Sequence, residues 1–207
     1  AKAGCSVTGG STNTMIGYQA GYNVTGNHNI SLGMGSGKVL TSGLRNVFMG
    51  VYAGKTQTTT HDSVFIGAYA GEDNTGTANV FIGAHAGKNV TSGSCNIAIG
   101  LEVLNSALTG GNNILMGCKA ASMLQGSAGS NTFIGPAAGR CVCTGSHNIA
   151  MGCNALRSSG TVSTNTGDHN ISLGKDSGKE VTTGSNNIAL GEAAMSAGAV
   201  TGNSNIA

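Results

Sequence analysis

The residues that could do chemistry in this chain are few, and their spacing limits what they could do. The histidines are His28, His61, His85, His147 and His169. Metal ligation or zinc-dependent hydrolysis would need them closely paired, yet no HxH or HExxH pattern occurs. His28, His147 and His169 each directly precede an asparagine that opens a repeat. His147 and His169 fall on consecutive repeats and could stack, and in an oligomer a ring of histidines could hold a metal. A solvated corner residue is the plainer expectation. The acids are Asp62, Glu72, Asp73, Glu102, Asp168, Asp176, Glu180 and Glu192. Glycoside hydrolysis needs two carboxylates across a groove, and these lie at differing repeat positions with no pair aimed at one spot. The stretch Gly33-Met34-Gly35-Ser36-Gly37-Lys38 lacks the Walker spacing, and no helical pattern follows it.

Six cysteines, Cys5, Cys95, Cys118, Cys141, Cys143 and Cys153, do not form a CxxC pair. Only Cys118 and Cys153 share a repeat position. They are two repeats apart, roughly 10 Å in a stacked array and too far for a bridge. The thiols read as mostly free, small apolar fillers. Asn-x-Thr/Ser sequons fall at Asn23, Asn29, Asn89 and Asn170, two of them inside the repeat's strand, where a glycan is implausible. These residues point to no catalytic site, no metal and no cofactor.

What positions them is a repeat. Asn79-Val80-Phe81-Ile82-Gly83 recurs as Asn96-Ile97-Ala98-Ile99-Gly100 and Asn187-Ile188-Ala189-Leu190-Gly191. Its closing glycine is Gly17, Gly33, Gly50, Gly67, Gly83, Gly100, Gly117, Gly135, Gly152, Gly174 and Gly191, a period near 17 residues. Its first residue is Asn13, Asn29, Asn46, Asn79, Asn96, Asn113, Asn131, Asn148, Asn170, Asn187 or Asn205, with Ser63 as the exception. In the common unit an Ala-Gly pair follows the glycine after two variable residues. In four units it is replaced by Val103-Leu104, Ala120-Ala121, Ala155-Leu156 or Ala194-Met195. The unit from Asn148 to His169 is the longest, with extra turn residues near Ser158 to Thr166.

Composition agrees with an array rather than a globule. The chain has 207 residues, 36 Gly, 1 Pro and only 9% charged residues. That is far below the roughly 25% charge of ordinary domains. Net charge is +2 with scattered basic residues, so no nucleic-acid footprint is expected. No apolar run is long enough for a membrane helix. No signal peptide opens the chain. Ala1-Lys2-Ala3-Gly4 matches the middle of a repeat and Asn205-Ile206-Ala207 stops inside one, so residues 1–207 read as a single segment of about twelve repeats from a longer fibre.

The five-residue motif predicts a strand, and the Ala-Gly segment a second, shorter one. The fold expected is all-β: a parallel β-solenoid, or β-roll, of about 17-residue coils stacked in register. Asparagine and glycine would form ladders, with the glycine at a corner of positive φ. Second and fourth strand residues, such as Val80 and Ile82, are expected to face the core. Third residues, including Met15, Phe48, Phe65, Phe81, Leu115 and Phe133, would then face outward. That surface carries no charge, and a solvated strand face alternates to polar residues. It is therefore expected to be buried against another copy of the chain.

The Asn96–Gly100 and Asn187–Gly191 motifs resemble NSVAIG-type repeats in the head domains of trimeric autotransporter adhesins. The longer Asn-Ile-Ala-Ile-Gly-x-x-Ala-Gly unit is similar to repeats in bacteriophage tail fibres and in fibre-like proteins of large viruses. The resemblance covers the whole chain. It implies a left-handed, trimeric β-roll: a non-catalytic, extracellular structural or adhesive fibre segment on a virion or cell surface. Its partners would be two further copies and a glycan or protein receptor, with no membrane insertion. The rivals weighed are an ice- or surface-binding solenoid, for which the Thr58-Thr59-Thr60 run does not repeat, a glycan-processing β-helix enzyme, and a hexapeptide-helix acyltransferase, whose 18-residue coil the period misses.

Overall fold

Asparagine closes each turn of this chain. In the computed structural model, which describes residues 2–5, 9–158, 165–197 and 200–207, each repeat makes one coil, numbered from its asparagine as position 1. The Asn79 side-chain amide donates to the Gly93 carbonyl at 2.8 Å across the coil, and its Oδ1 accepts the Asn96 backbone N–H at 2.8 Å from the next coil. Asn131, Asn148 and Asn170 repeat both bonds. Buried amides are costly unless bonded, and here they join each coil to itself and to its neighbour. Ser63 keeps the link between coils, accepting from Asn79 N–H at 3.3 Å.

The strand proper is shorter than the motif. Eleven three-residue strands occupy positions 2–4: β1 (Thr14–Ile16), β2 (Ile30–Leu32), β3 (Val47–Met49), β4 (Val64–Ile66), β5 (Val80–Ile82), β6 (Ile97–Ile99), β7 (Ile114–Met116), β8 (Thr132–Ile134), β9 (Ile149–Met151), β10 (Ile171–Leu173) and β11 (Ile188–Leu190). They form one parallel sheet in sequence order, every rung paired with its equivalent, as in Phe65↔Phe81. This is a β-solenoid with coils about 17 residues apart. Each strand ends at the closing glycine, whose φ lies between +114° and +138°.

The Ala-Gly segment is not the second strand expected. Left-handed residues alternate there, at position 7 (Tyr52, φ 56°) and position 9 (Gly54, φ 57°). The chain folds into overlapping turns, with Ala53 N–H donating to Gly50 O and Lys55 N–H to Tyr52 O, both at 3.3 Å. Rungs are still joined: Tyr52 N–H reaches Met34 O at 2.9 Å, and Gly54 N–H reaches Ala70 O at 3.0 Å. A left-handed residue also stands beside the asparagine ladder. It is not the asparagine but the residue before it, such as His147 (φ 60°) or Asn186 (φ 59°).

The two faces of the sheet are the reverse of those expected. Phe48, Phe65, Phe81, Leu115 and Phe133 are wholly buried inside the single chain and Met15 packs against the same core, so these six residues are not an oligomer interface. Phe48, Phe65 and Phe81 stack at 5.1 and 5.0 Å between ring centroids. The reason is parity. Positions 1 and 3 of a strand share a face, and the asparagine must point inward to close its coil. Position 3 goes in with it, and positions 2 and 4 are turned out.

Inside the coil, positions 3 and 9 share one space. Where position 3 is phenylalanine, position 9 is glycine: a Cβ on Gly54 would lie 3.0 Å from the Phe48 ring, and one on Gly71 2.6 Å from Phe65. Where position 3 is alanine, position 9 is large: Ala98 with Leu104, Ala150 with Leu156, and Ala189 with Met195. Leu104, Leu156 and Met195 accept left-handed backbones (φ 50°, 51° and 53°) to fill that space, at a strain of about 1–2 kcal/mol each. This accounts for three of the four variant units; in the fourth, Leu115 stands opposite the small Ala121. Ala98→Phe alone should overpack the core by about 1–3 kcal/mol. Adding Leu104→Gly should recover most of that, with a coupling of about 1 kcal/mol or more in a denaturation cycle. Simple additivity of the two substitutions would contradict the shared space.

The long unit's extra residues lie mostly at 159–164, outside the described residues. On their far side the core resumes with buried Asn165, which bridges to Val142 and donates to Val181 O at 2.8 Å.

Candidate functional site

The outward sheet face carries a run of exposed apolar side chains. Positions 2 and 4 place two aliphatic columns on it, uncharged along all eleven strands. Ile16 is 64% exposed, Ile114 40%, Met151 42% and Leu190 54%. Position 6 adds exposed Tyr18, Met34, Val51 and Leu101 beside them. Only at the last two coils does that third column become charged, where Lys175 pairs with Glu192 at 3.0 Å. The exposed apolar residues are contiguous from strand to strand, unlike the singly scattered apolar residues of an ordinary soluble surface. The uncharged strand face exposed to solvent is therefore the one at positions 2 and 4, not the one at position 3.

The polar ladders are structural. Asn29, Asn46, Asn79, Asn113, Asn131, Asn148 and Asn170 are fully buried, which also closes the sequons at Asn29 and Asn170 to modification. Side-chain oxygens two residues before the next asparagine make a second ladder on the surface: Ser146 N–H donates to Asp168 Oδ1 at 2.7 Å, and Asp168 N–H to Ser185 Oγ at 3.0 Å. No disulfide forms among the described residues; Cys141 and Cys143 are buried, and Cys5, Cys95, Cys118 and Cys153 are exposed.

Charges are more ordered than the sequence shows. Lys38, Lys55, Lys88, Arg140, Arg157 and Lys179, six of ten basic residues, occupy position 10 and line one edge. Glu72 stands in the same column between Lys55 (3.2 Å) and Lys88 (3.6 Å). Asp176 approaches Lys179 at 4.0 Å. The acids break up the column, so it is not a uniform track for a polyanion. On another edge Arg45 grips Asp62 through two bonds of 2.5 and 2.9 Å. The hydrogen bond from Arg45 holds the Asp62 carboxyl below its ordinary value. Both side chains are exposed, so the pair contributes little to stability.

A threonine column missed in the sequence runs through Thr25, Thr41, Thr58, Thr75 and Thr91 at position 13. It is a single column, and its hydroxyls are partly committed: those of Thr41 and Thr91 donate to Thr58 O and Leu108 O, each at 3.0 Å. An ice-binding face needs free hydroxyls in a flat array, which this column does not supply. Among the described residues no three metal-ligating side chains cluster, and no helix is long and apolar enough to cross a membrane.

Fold and surface together define a class, the parallel β-solenoid repeat protein with one apolar flank. Within that class, comparison of the chain with known protein families, characterised proteins and solved structures finds no match to any of them.

Proposed function

We propose that this chain is a non-catalytic structural segment of a fibre, joined to copies of itself along the outward sheet face, three being the simplest assembly. Its place is extracellular, on a virion or a cell surface. There it holds or presents surfaces that bind a glycan or protein receptor. The observation that carries this reading is the uncharged double column at positions 2 and 4, laid along an in-register rod. Burying it would take this apolar face out of water, as stable interfaces of about 800 Å² per partner do. The repeated main-chain ladders supply stiffness, and eleven coils at about 4.8 Å give a rod of roughly 50 Å for this segment.

The test uses the outward residues. Ile82→Asp with Ile99→Asp places two carboxylates on the face without touching the core. The double variant should keep the circular dichroism of the parent but run as a single chain. The length seen by small-angle scattering should stay near that of the rod. An unchanged assembly in this variant would show that the face is not the interface.

A further inference from the structure

The five histidines differ in what their rings touch. The His28 ring meets Thr12 Oγ1 at 2.7 Å, the His61 ring accepts Leu44 N–H at 3.0 Å, and the His85 ring lies flat on Tyr69 at 5.1 Å. His147 and His169 face each other instead, with centroids 4.9 Å apart and planes inclined by 34°. Among the described residues, the ring nitrogens of neither take a hydrogen bond, and both side chains are exposed. Their backbones are fixed alike, left-handed at φ 60° and 58° on consecutive rungs. His147 N–H is tied to Gly129 O at 3.0 Å and His169 N–H to Ser146 O at 3.1 Å. Asp168, beside His169 in the chain, is held by its bond from Ser146 N–H and adds negative charge next to the pair.

We propose that His147 and His169 form a two-imidazole chelate for a divalent transition metal of borderline softness, such as nickel, copper or zinc, with water in the remaining positions. Neutral imidazole suits these metals. Two nitrogens on one metal, each about 2.0–2.1 Å from it, stand closer together than the stacked rings, and rotation of two exposed side chains supplies the difference. The backbone needs no movement, because the ladder already sets both histidines on one edge. Holding the second ligand beside the first makes its binding intramolecular, which is the source of chelate affinity.

The probe is nickel chloride, titrated calorimetrically into the folded chain after its exposed thiols have been alkylated. One nickel per chain is expected. His147→Asn and His169→Asn should each weaken binding by on the order of a hundredfold, whereas His28→Asn should leave it unchanged. All three side chains are exposed, so the variants should fold, and circular dichroism checks that they do. No nickel binding by the parent, or equal binding by the parent and both single variants, would overturn the proposal.

Discussion

Phe65→Asp is expected to unfold the middle of the rod, not to dissociate an assembly. Phe65 is wholly buried and stacked on both sides, by Phe48 at 5.1 Å and Phe81 at 5.0 Å. Aspartate there would lose two ring contacts, open a cavity and bury a carboxylate with no cation inside the coil. Losses of this kind sum to more than about 4 kcal/mol. Because coils are stabilised by themselves and their immediate neighbours, protection from hydrogen exchange should fall first around β3 to β5, with β9 to β11 affected least. A folded Phe65→Asp chain would show that position 3 is not in the core.

The second large effect is expected at Gly83. Its φ is 131°, and an added Cβ would meet the Gly100 carbonyl oxygen of the next coil. Backbone strain of roughly 1–3 kcal/mol adds to a clash with main chain that is locked in its own ladder. Gly83→Ala should therefore cost about 3 kcal/mol or more. Gly126 provides the comparison: φ is 61°, and a Cβ there meets only Thr144 Cγ2 at 3.9 Å. Gly126→Ala should cost about 1 kcal/mol, the left-handed penalty alone. Equal effects in urea denaturation would show that contact between coils is not what keeps the column glycine. Gly93 lies in the turn of variable length, where the sequence alone leads one to expect alanine to be milder than at Gly83. It is buried, and its Cβ would strike the Gly110 carbonyl oxygen, so alanine should be poorly tolerated there too.

The period, the parallel register and the asparagine and glycine ladders were legible because each rests on recurrence at fixed spacing. The direction of the faces was not, although a signal was present. Counting hydrophobicity alone assigns Val80 and Ile82 to the core. Asking where the buried amide of Asn79 finds its partners assigns Phe81 to it instead, since positions 1 and 3 share a face. The apparent second strand misled because small residues suit both an extended chain and alternating left-handed turns. The basic edge was hidden because Lys38, Lys55, Lys88, Arg140, Arg157 and Lys179 align only when counted from each asparagine. The Ala98–Leu104 exchange was visible as a variant motif, but its meaning required knowing that positions 3 and 9 meet inside the coil.

Coverage of the outward sheet face by other copies of the chain is read most directly from the mass in solution. Equilibrium sedimentation of the 20.3 kDa chain at micromolar concentration measures this without labels or partners. A whole multiple of the chain mass is expected, three being the simplest, with the Ile82→Asp, Ile99→Asp variant reduced to one. A well-folded parent chain that stays at single-chain mass at that concentration would contradict it.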